Sequence, residues 1–183
     1  MKKVAVILAD GFEEIEALTS VDVLRRAGAI ASIVGLNDVN IKGCHNICVK
    51  ADVTLREMKE LDYDAIVLPG GLPGASNLAN DTRLKAILQN FDKSNKLICA
   101  ICAAPMVLES AGVLKDHFVC YPGFEENVRS DKRGYVSDKN MLKDQNIITA
   151  KGPALSMEFA LFIVKNLLGD EAYLKVKNDL LYK

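Results

Sequence analysis

The sequence predicts an α/β fold in which a mostly parallel central sheet lies between two layers of helices, and three observations carry that prediction. Short, β-rich apolar runs alternate along the chain with stretches whose apolar residues recur at helical spacing. The first run, residues 4–9, is apolar without interruption, as a parallel strand covered on both faces should be. No linker, repeat or low-complexity segment divides the 183 residues, so one domain over 1–183, with a sizeable core, is expected.

After that first strand, Ile15, Leu18, Val21, Val23 and Leu24 mark the apolar stripe of a helix over 13–27, closed by Gly28. Residues 31–36 form the second strand, and 39–51, with Gly43 and Asn46, read as a β-hairpin outside the main alternation. Residues 65–68 are the next parallel strand and run into Pro69-Gly70-Gly71-Leu72-Pro73-Gly74. Asp81-Thr82 caps a helix over 83–92, and 96–101 is a further buried strand. Beyond Cys102 a helix extends to Ala111 and stops at Gly112. Residues 118–120 are expected as a short strand ending at Tyr121-Pro122-Gly123, and 135–144 as a hairpin turning at Lys139-Asn140. Residues 147–151 are the last core strand, Gly152-Pro153 leads into a helix over 155–168, and a final helix covers 171–180. In such sheets ligands gather at the C-terminal ends of the strands.

Composition excludes several function classes. Half of the residues are apolar, 26% are charged and the net charge is -1, so nothing points to nucleic acid or an anionic membrane as a partner. No apolar stretch approaches the ~20 residues of a membrane span. The start superficially resembles a signal peptide, but its apolar run is short and Asp10-Gly11 stands where a cleavage site should be. The five cysteines (44, 48, 99, 102 and 120) are an odd number, so reduced thiols and a cytoplasmic location are expected.

Cys102 holds the richest chemistry. It ends a strand, small residues follow at 103 and 104, and Pro105 suits the first turn of a helix. A thiol there faces the positive end of a helix dipole and free backbone N–H groups, which should lower its pKa from about 8.5. The turn resembles the nucleophile elbow of other α/β enzymes; a small buried hydrophobe closing a strand is the alternative. Cys99 and Cys102 are spaced as C-x-x-C, yet strand alternation sends them to opposite faces, which argues against a redox pair. Cys44 and Cys48 have no second C-x-x-C, so no metal site is expected.

Two further segments reach the same end of the sheet. The paired glycines Gly70-Gly71 let backbone N–H groups approach a ligand, as an oxyanion hole requires. A tight crossover turn is the plainer reading. Glu13, Glu14 and Glu16 fall in the first turns of a helix, where the dipole alone accounts for Glu13 and Glu14. Glu16 lies near the apolar stripe and is expected to point inward, where burial beside a thiolate would keep it protonated. Neither histidine is placed as a base: His117 begins a strand, over ~10 Å from its far end, and His45 sits in the hairpin.

Four segments in order, Ala-Asp-Gly-Phe-Glu-Glu-Ile-Glu at 9–16, Val-Leu-Pro-Gly-Gly at 67–71, Ala-Ile-Cys-Ala-Ala-Pro at 100–105 and Lys-Gly-Pro at 151–153, together resemble the ThiJ/PfpI superfamily. The match is to its Parkinsonism-associated deglycase branch. The resemblance implies a flavodoxin-like three-layer sandwich, a single ThiJ/PfpI-like (class I glutamine amidotransferase-like) domain and a homodimer with the active site near its interface. It implies that Cys102 is the reactive, oxidation-prone cysteine and Glu16 the protonated acid beside it. Gly71, Leu72 and Ala103, with Gly70 in the same turn, would supply backbone donors, and Arg26 would reach the partner's site. Tyr121, Pro122, Gly152 and Pro153 are the other pocket or interface candidates. Ala103 stands where the protease branch has a histidine, and the His-x-Glu of the amidotransferases is missing. Tyr121-Pro122 replaces a His-Pro of the animal members, and an arginine of their hairpin is replaced near His45-Asn46.

The expected function is therefore that of a cofactor-independent cysteine enzyme acting on dicarbonyls such as methylglyoxal, or on their adducts. A redox-responsive chaperone switched by oxidation of Cys102 is the alternative, and Ala103 makes peptidase activity the weakest reading.

Overall fold

The computed structural model describes residues 1–183. Its first strand, β1 (Lys3–Leu8), carries five successive fully buried side chains from Val4 to Leu8. The chain continues through α1 (Glu14–Arg26), β2 (Ile30–Gly35), a hairpin of β3 (Asn40–Lys42) and β4 (Cys48–Lys50), and a short β5 (Val53–Thr54). Then come β6 (Ala65–Leu68), α2 (Gly74–Asn80), α3 (Thr82–Lys93), β7 (Leu97–Ile101), α4 (Pro105–Ser110) and α5 (Glu125–Val128). The last elements are β8 (Met141–Asp144), β9 (Ile147–Ala150), α6 (Ser156–Leu168) and α7 (Asp170–Asp179).

Seven strands form one sheet in the order β5-β2-β1-β6-β7-β9-β8, parallel except for β8, which pairs antiparallel with β9. This is the flavodoxin-like sandwich. Strand alternation divides β1 between two cores: Val4, Val6 and Leu8 pack with Val21 and Leu24 of α1 and Phe159 and Ile163 of α6. Ala5 and Ile7 pack on the other face with Leu78 of α2, Leu84, Leu88 and Phe91 of α3 and Leu108 of α4. The chain leaves β1 toward β2 on one side and returns to β6 on the other. That reversal opens a crevice between the C-terminal ends of β1 and β6.

Local chemistry fixes the helix ends. The Glu13 carboxylate accepts the Glu16 N–H at 2.8 Å as the cap of α1, and Gly28, at φ 83°, closes the turn after it. Asp81 caps α3 by accepting the N–H groups of Arg83 and Leu84, each at 2.9 Å. The expected stripe of α1 is rotated, however. Ile15 and Leu18 are exposed, while Glu16, Ala17 and Ser20 face inward with Val21 and Leu24.

The hairpin forms over residues 40–50 and folds back on the loop between β1 and α1. Gly11 N–H donates to Lys42 O at 2.7 Å, Lys42 N–H to Asp10 Oδ1 at 2.9 Å, and Cys44 N–H to Phe12 O at 2.8 Å. Two expectations fail. Residues 118–120 make no strand: Phe118 forms a single bridge with Tyr135, and Val119 N–H donates to the Thr149 side chain at 3.0 Å. Residues 135–144 make no hairpin, because the turn falls at Gln145-Asn146 and joins β8 to β9. Asn146 fits that corner, donating to Asp92 Oδ1 and Lys96 O at 3.0 Å each. No helix is long and apolar enough to cross a membrane.

Candidate active site

Cys102 follows the last residue of β7 and adopts a left-handed φ of 64°, a conformation that costs a non-glycine residue on the order of 1 kcal/mol or more. The surrounding backbone holds it there. Its N–H donates to Ala150 O at 3.0 Å and its carbonyl accepts the Tyr121 N–H at 3.0 Å, while Ala104 N–H closes the turn onto Ile101 O. Pro105 then opens α4. This turn ends the strand alternation, so Cys99 and Cys102 enter the same core rather than opposite faces. All five cysteines are free thiols.

Glu16 reaches the same place from the first turn of α1, with no exposed surface. Its Oε2 accepts the Gly70 N–H at 2.7 Å, whereas Oε1 is buried without a hydrogen-bond partner. Ser20 Oγ donates to the Glu16 carbonyl at 2.7 Å and steadies the turn. Burial raises the carboxyl to about 7 against the Gly70 hydrogen bond, and the Glu13 charge pushes in the same direction as burial.

The two side chains meet because residue 70 has none. A Cβ on Gly70 would lie 2.7 Å from Cys102 Cβ and 3.0 Å from Glu16 Oε2. Gly71, at φ 85°, likewise admits no side chain, since its Cβ would stand 2.5 Å from the Glu13 nitrogen. The expected set of donors is thereby divided. Gly70 N–H is committed to Glu16, so it holds the acid and is not free for a ligand. The N–H groups of Gly71 and Ala103 face the sulfur, and neither these nor Leu72 N–H donates to a protein oxygen.

The expected lowering of the Cys102 thiol is reversed. Burial, and then the charge of Glu16, push it up to about 12, and the N–H groups of Ala103 and Gly71 only partly oppose them. The cause is geometric. Cys102 as a residue is only 9% exposed and lies beside a carboxyl group, and α4 has only six residues. The pair is thus a thiol facing a carboxyl group that ionises near neutrality.

Tyr121 and Gly152 join this neighbourhood. Tyr121 is half exposed, and its ring lies over residue 152, where a Cβ would be 3.1 Å from the ring edge. Pro122 follows on the exposed side, and Pro153 opens the 3-10 turn Pro153–Leu155 that leads to α6. Arg26 is not brought in. It lies at the other end of α1, about 15 Å from Glu16 along the helix, and pairs with Asp22 at 3.0 Å. His117 sits near Asp144 at 3.5 Å, at the end of the sheet away from Cys102.

The sequence did not reveal what Glu14 does. Only 3% exposed, it receives the folded-back hairpin: Oε1 accepts the N–H groups of His45 at 2.7 Å and Ile47 at 3.4 Å. Its Oε2 lies 2.8 Å from His45 Nδ1 and 3.5 Å from Cys44 Sγ. Burial opposes ionisation of Glu14, but these hydrogen bonds hold it down to about 2. Cys44 is pushed up to about 11 by burial and by Glu14. Gly43 was the available signal, since a side chain there would collide with the Glu14 carboxylate.

The model of the DJ-1/PfpI family matches residues 2–166. The chain is 37% identical to the Parkinson disease protein 7 homolog of Danio rerio over 185 aligned residues, covering 100% of this chain and 98% of that protein. It is 35% identical over 159 residues to the glutathione-independent glyoxalase DJR-1.2 of Caenorhabditis elegans, covering 87% and 84% of the two chains. The crystal structure of Drosophila melanogaster DJ-1beta superposes with a TM-score of 0.95 at 36% identity, covering 100% of this chain and 98% of that one. The structure described as Toxoplasma gondii DJ-1, oxidized, superposes with a TM-score of 0.92 at 36% identity, covering 100% and 99%.

Proposed function

The chain belongs to the DJ-1/PfpI family, and on that premise we propose that it is a cofactor-independent cysteine enzyme of the glutathione-independent glyoxalase type, converting methylglyoxal to lactate. The observation that carries this reading is the Cys102 thiol beside a buried carboxyl group of pKa about 7, with the N–H groups of Gly71 and Ala103 on its sulfur and that of Leu72 donating to no protein oxygen. The C. elegans relative that bears the glyoxalase name supports the choice of substrate class.

The proposed chemistry begins with sulfur adding to the aldehyde carbon while Glu16 takes the thiol proton. The N–H groups of Gly71, Ala103 and Leu72 stabilise the developing oxyanion as the sulfur gives up its charge, and Glu16 returns the proton to it, leaving a hemithioacetal on Cys102. Removal of the proton on that carbon and reprotonation of the neighbouring one gives a lactate thioester. Water then releases lactate and restores the thiol. The aldehyde carbon is oxidised and the ketone carbon reduced, so the isomerisation needs no external electron acceptor. Adducts of dicarbonyls with thiols and amines would enter the same path by exchange: the bond from the former aldehyde carbon to the adduct's thiol or amine breaks, that group leaves with the proton Glu16 carries, and the bond to Cys102 sulfur forms, the deglycase form of the activity.

Lactate release from methylglyoxal without added glutathione is expected for the wild type and should vanish in Cys102→Ser. Turnover that survives this substitution would remove Cys102 from the mechanism.

A second reading, a redox-responsive chaperone switched at Cys102, is favoured by the oxidized relative and by the donors around the sulfur. It predicts that mild peroxide adds two oxygen atoms selectively at Cys102, with little change at Cys44 or Cys48 by mass spectrometry. Equal modification of all three would count against it. The enzymatic reading takes precedence because a carboxyl group ionising near neutrality can both accept the thiol proton and return it to the oxyanion, a second transfer that oxidation of the sulfur does not use.

The protein is further proposed to work as a cytoplasmic homodimer. Ile15, Leu18 and Ile47, exposed where α1 meets the hairpin, would form part of the interface, and Arg26 would serve the partner.

A further inference from the structure

We propose that Glu14, Cys44 and His45 form a binding site for a zinc-class divalent cation, distinct from the Cys102–Glu16 pair. Glu14 Oε2, His45 Nδ1 and Cys44 Sγ converge on one point from two elements, with Cys44 and His45 in the hairpin and Glu14 in the first turn of α1. Their separations are 2.8 Å for O to N, 3.2 Å for S to N and 3.5 Å for S to O. A tetrahedral zinc with bonds of ~2.0 Å to oxygen and nitrogen and ~2.3 Å to sulfur needs edges of about 3.3, 3.5 and 3.5 Å. The S to O edge already has its value, and the other two must open by no more than about half an ångström.

The three ligands are also held from outside. Glu14 is almost fully buried, and its other oxygen accepts the His45 and Ile47 N–H groups, which orients Oε2 toward the cluster. The Cys44 backbone is tied to Phe12 by its N–H at 2.8 Å. The His45 side chain is 69% exposed, which leaves a fourth position open to water or an exogenous ligand. Mixed sulfur, nitrogen and oxygen donors select zinc and its neighbours over magnesium or calcium, which take oxygen. A cation at the N-terminus of α1 meets a partial positive charge of roughly half a unit. The Glu14 carboxylate and the Cys44 thiolate supply two negative charges against it, the thiol proton being released to solvent as the metal–sulfur bond forms.

The test is titration of the full-length, chelator-treated protein with zinc by calorimetry, and with cobalt as a spectroscopic probe. One equivalent per chain is expected, and cobalt should give the charge-transfer band of a bound thiolate. Cys44→Ser and His45→Ala should each weaken zinc at least about 10-fold, the lower bound even for an outer-shell loss. Cys48→Ser, a change of an exposed cysteine on β4, should leave binding unaltered. Circular dichroism of each variant reports whether the fold is retained. Glu14→Gln is the less suitable variant, because it also loosens the hairpin. Unchanged affinity in Cys44→Ser, no cobalt–thiolate band, or loss of the site in Cys102→Ser instead would each overturn the proposal. The readout is binding, so the outcome is independent of any dicarbonyl turnover.

Discussion

A single missing side chain at residue 70 brings Cys102 and Glu16 together, and the pair's proton chemistry follows from that closeness. Glu16 is raised from 4.5 to about 7, so its neutral form is favoured in the fold. A carboxyl raised in this way costs nothing below pH 4.5; the cost grows as pH rises and levels off above about 7. The shift corresponds to about 3 kcal/mol of stability lost across that window. Glu16→Gln should therefore unfold at higher denaturant concentration than the wild type at pH 8, with the difference shrinking toward pH 4.5. An equal difference at both pH values would contradict the burial of an ionisable Glu16. Both side chains were legible in the sequence, one from the strand–turn–helix pattern around Cys102 and the other from its place near an apolar stripe. The rise of the thiol was not, because helix position is visible in sequence while burial and the distance to Glu16 are not. The commitment of Gly70 N–H to Glu16 was hidden for the same reason.

At the scale of elements, the hairpin of β3 and β4 was legible from its turn residues, but its fold-back onto α1 was not. Nothing local links Glu14 to His45 across thirty-one positions; the contact exists because the β1–α1 loop anchors Lys42 and Cys44. Glu14 is lowered from 4.5 to about 2, so its stabilising effect is fully present above pH 4.5 and is lost as pH falls through about 2. Glu14→Gln should lower stability at pH 6 and flatten the acid limb between pH 4.5 and 2, followed by thermal unfolding. An unchanged acid limb would mean that the hairpin is held without Glu14. The helix α2 is hidden in the sequence because its Gly74 start reads as the end of a glycine-rich turn. The hairpin expected over 135–144 failed because alternation there is weak, while the left-handed Gln145 supplies the real turn.

At the scale of the whole molecule, the alternation of strands and helices was enough to place the sheet between its two helical layers. The order of the strands explains why a site can exist at all: β1, β6 and β7 are neighbours, and the segments that follow their C-terminal ends bring Glu16, in the first turn of α1, to Gly70 and Cys102. What one chain cannot display in its sequence is which apolar residues stay outside. Ile15 and Leu18 belong to the apolar pattern of α1, yet the helix turns both outward beside Ile47. Sedimentation equilibrium should give twice the chain mass for the wild type and a shift toward the monomer in Ile15→Glu. A monomeric wild type would contradict the proposed interface.

Whether Glu16 carries the proton for Cys102, as proposed, is read from the pH dependence of kcat/KM for methylglyoxal. The wild type should show a limb rising through about pH 7 as Glu16 ionises, ahead of any limb from a thiol raised to about 12. In Glu16→Gln that limb should disappear, with kcat/KM falling by roughly 10²-fold or more. A limb near 7 that survives in Glu16→Gln would rule out Glu16 as the proton carrier.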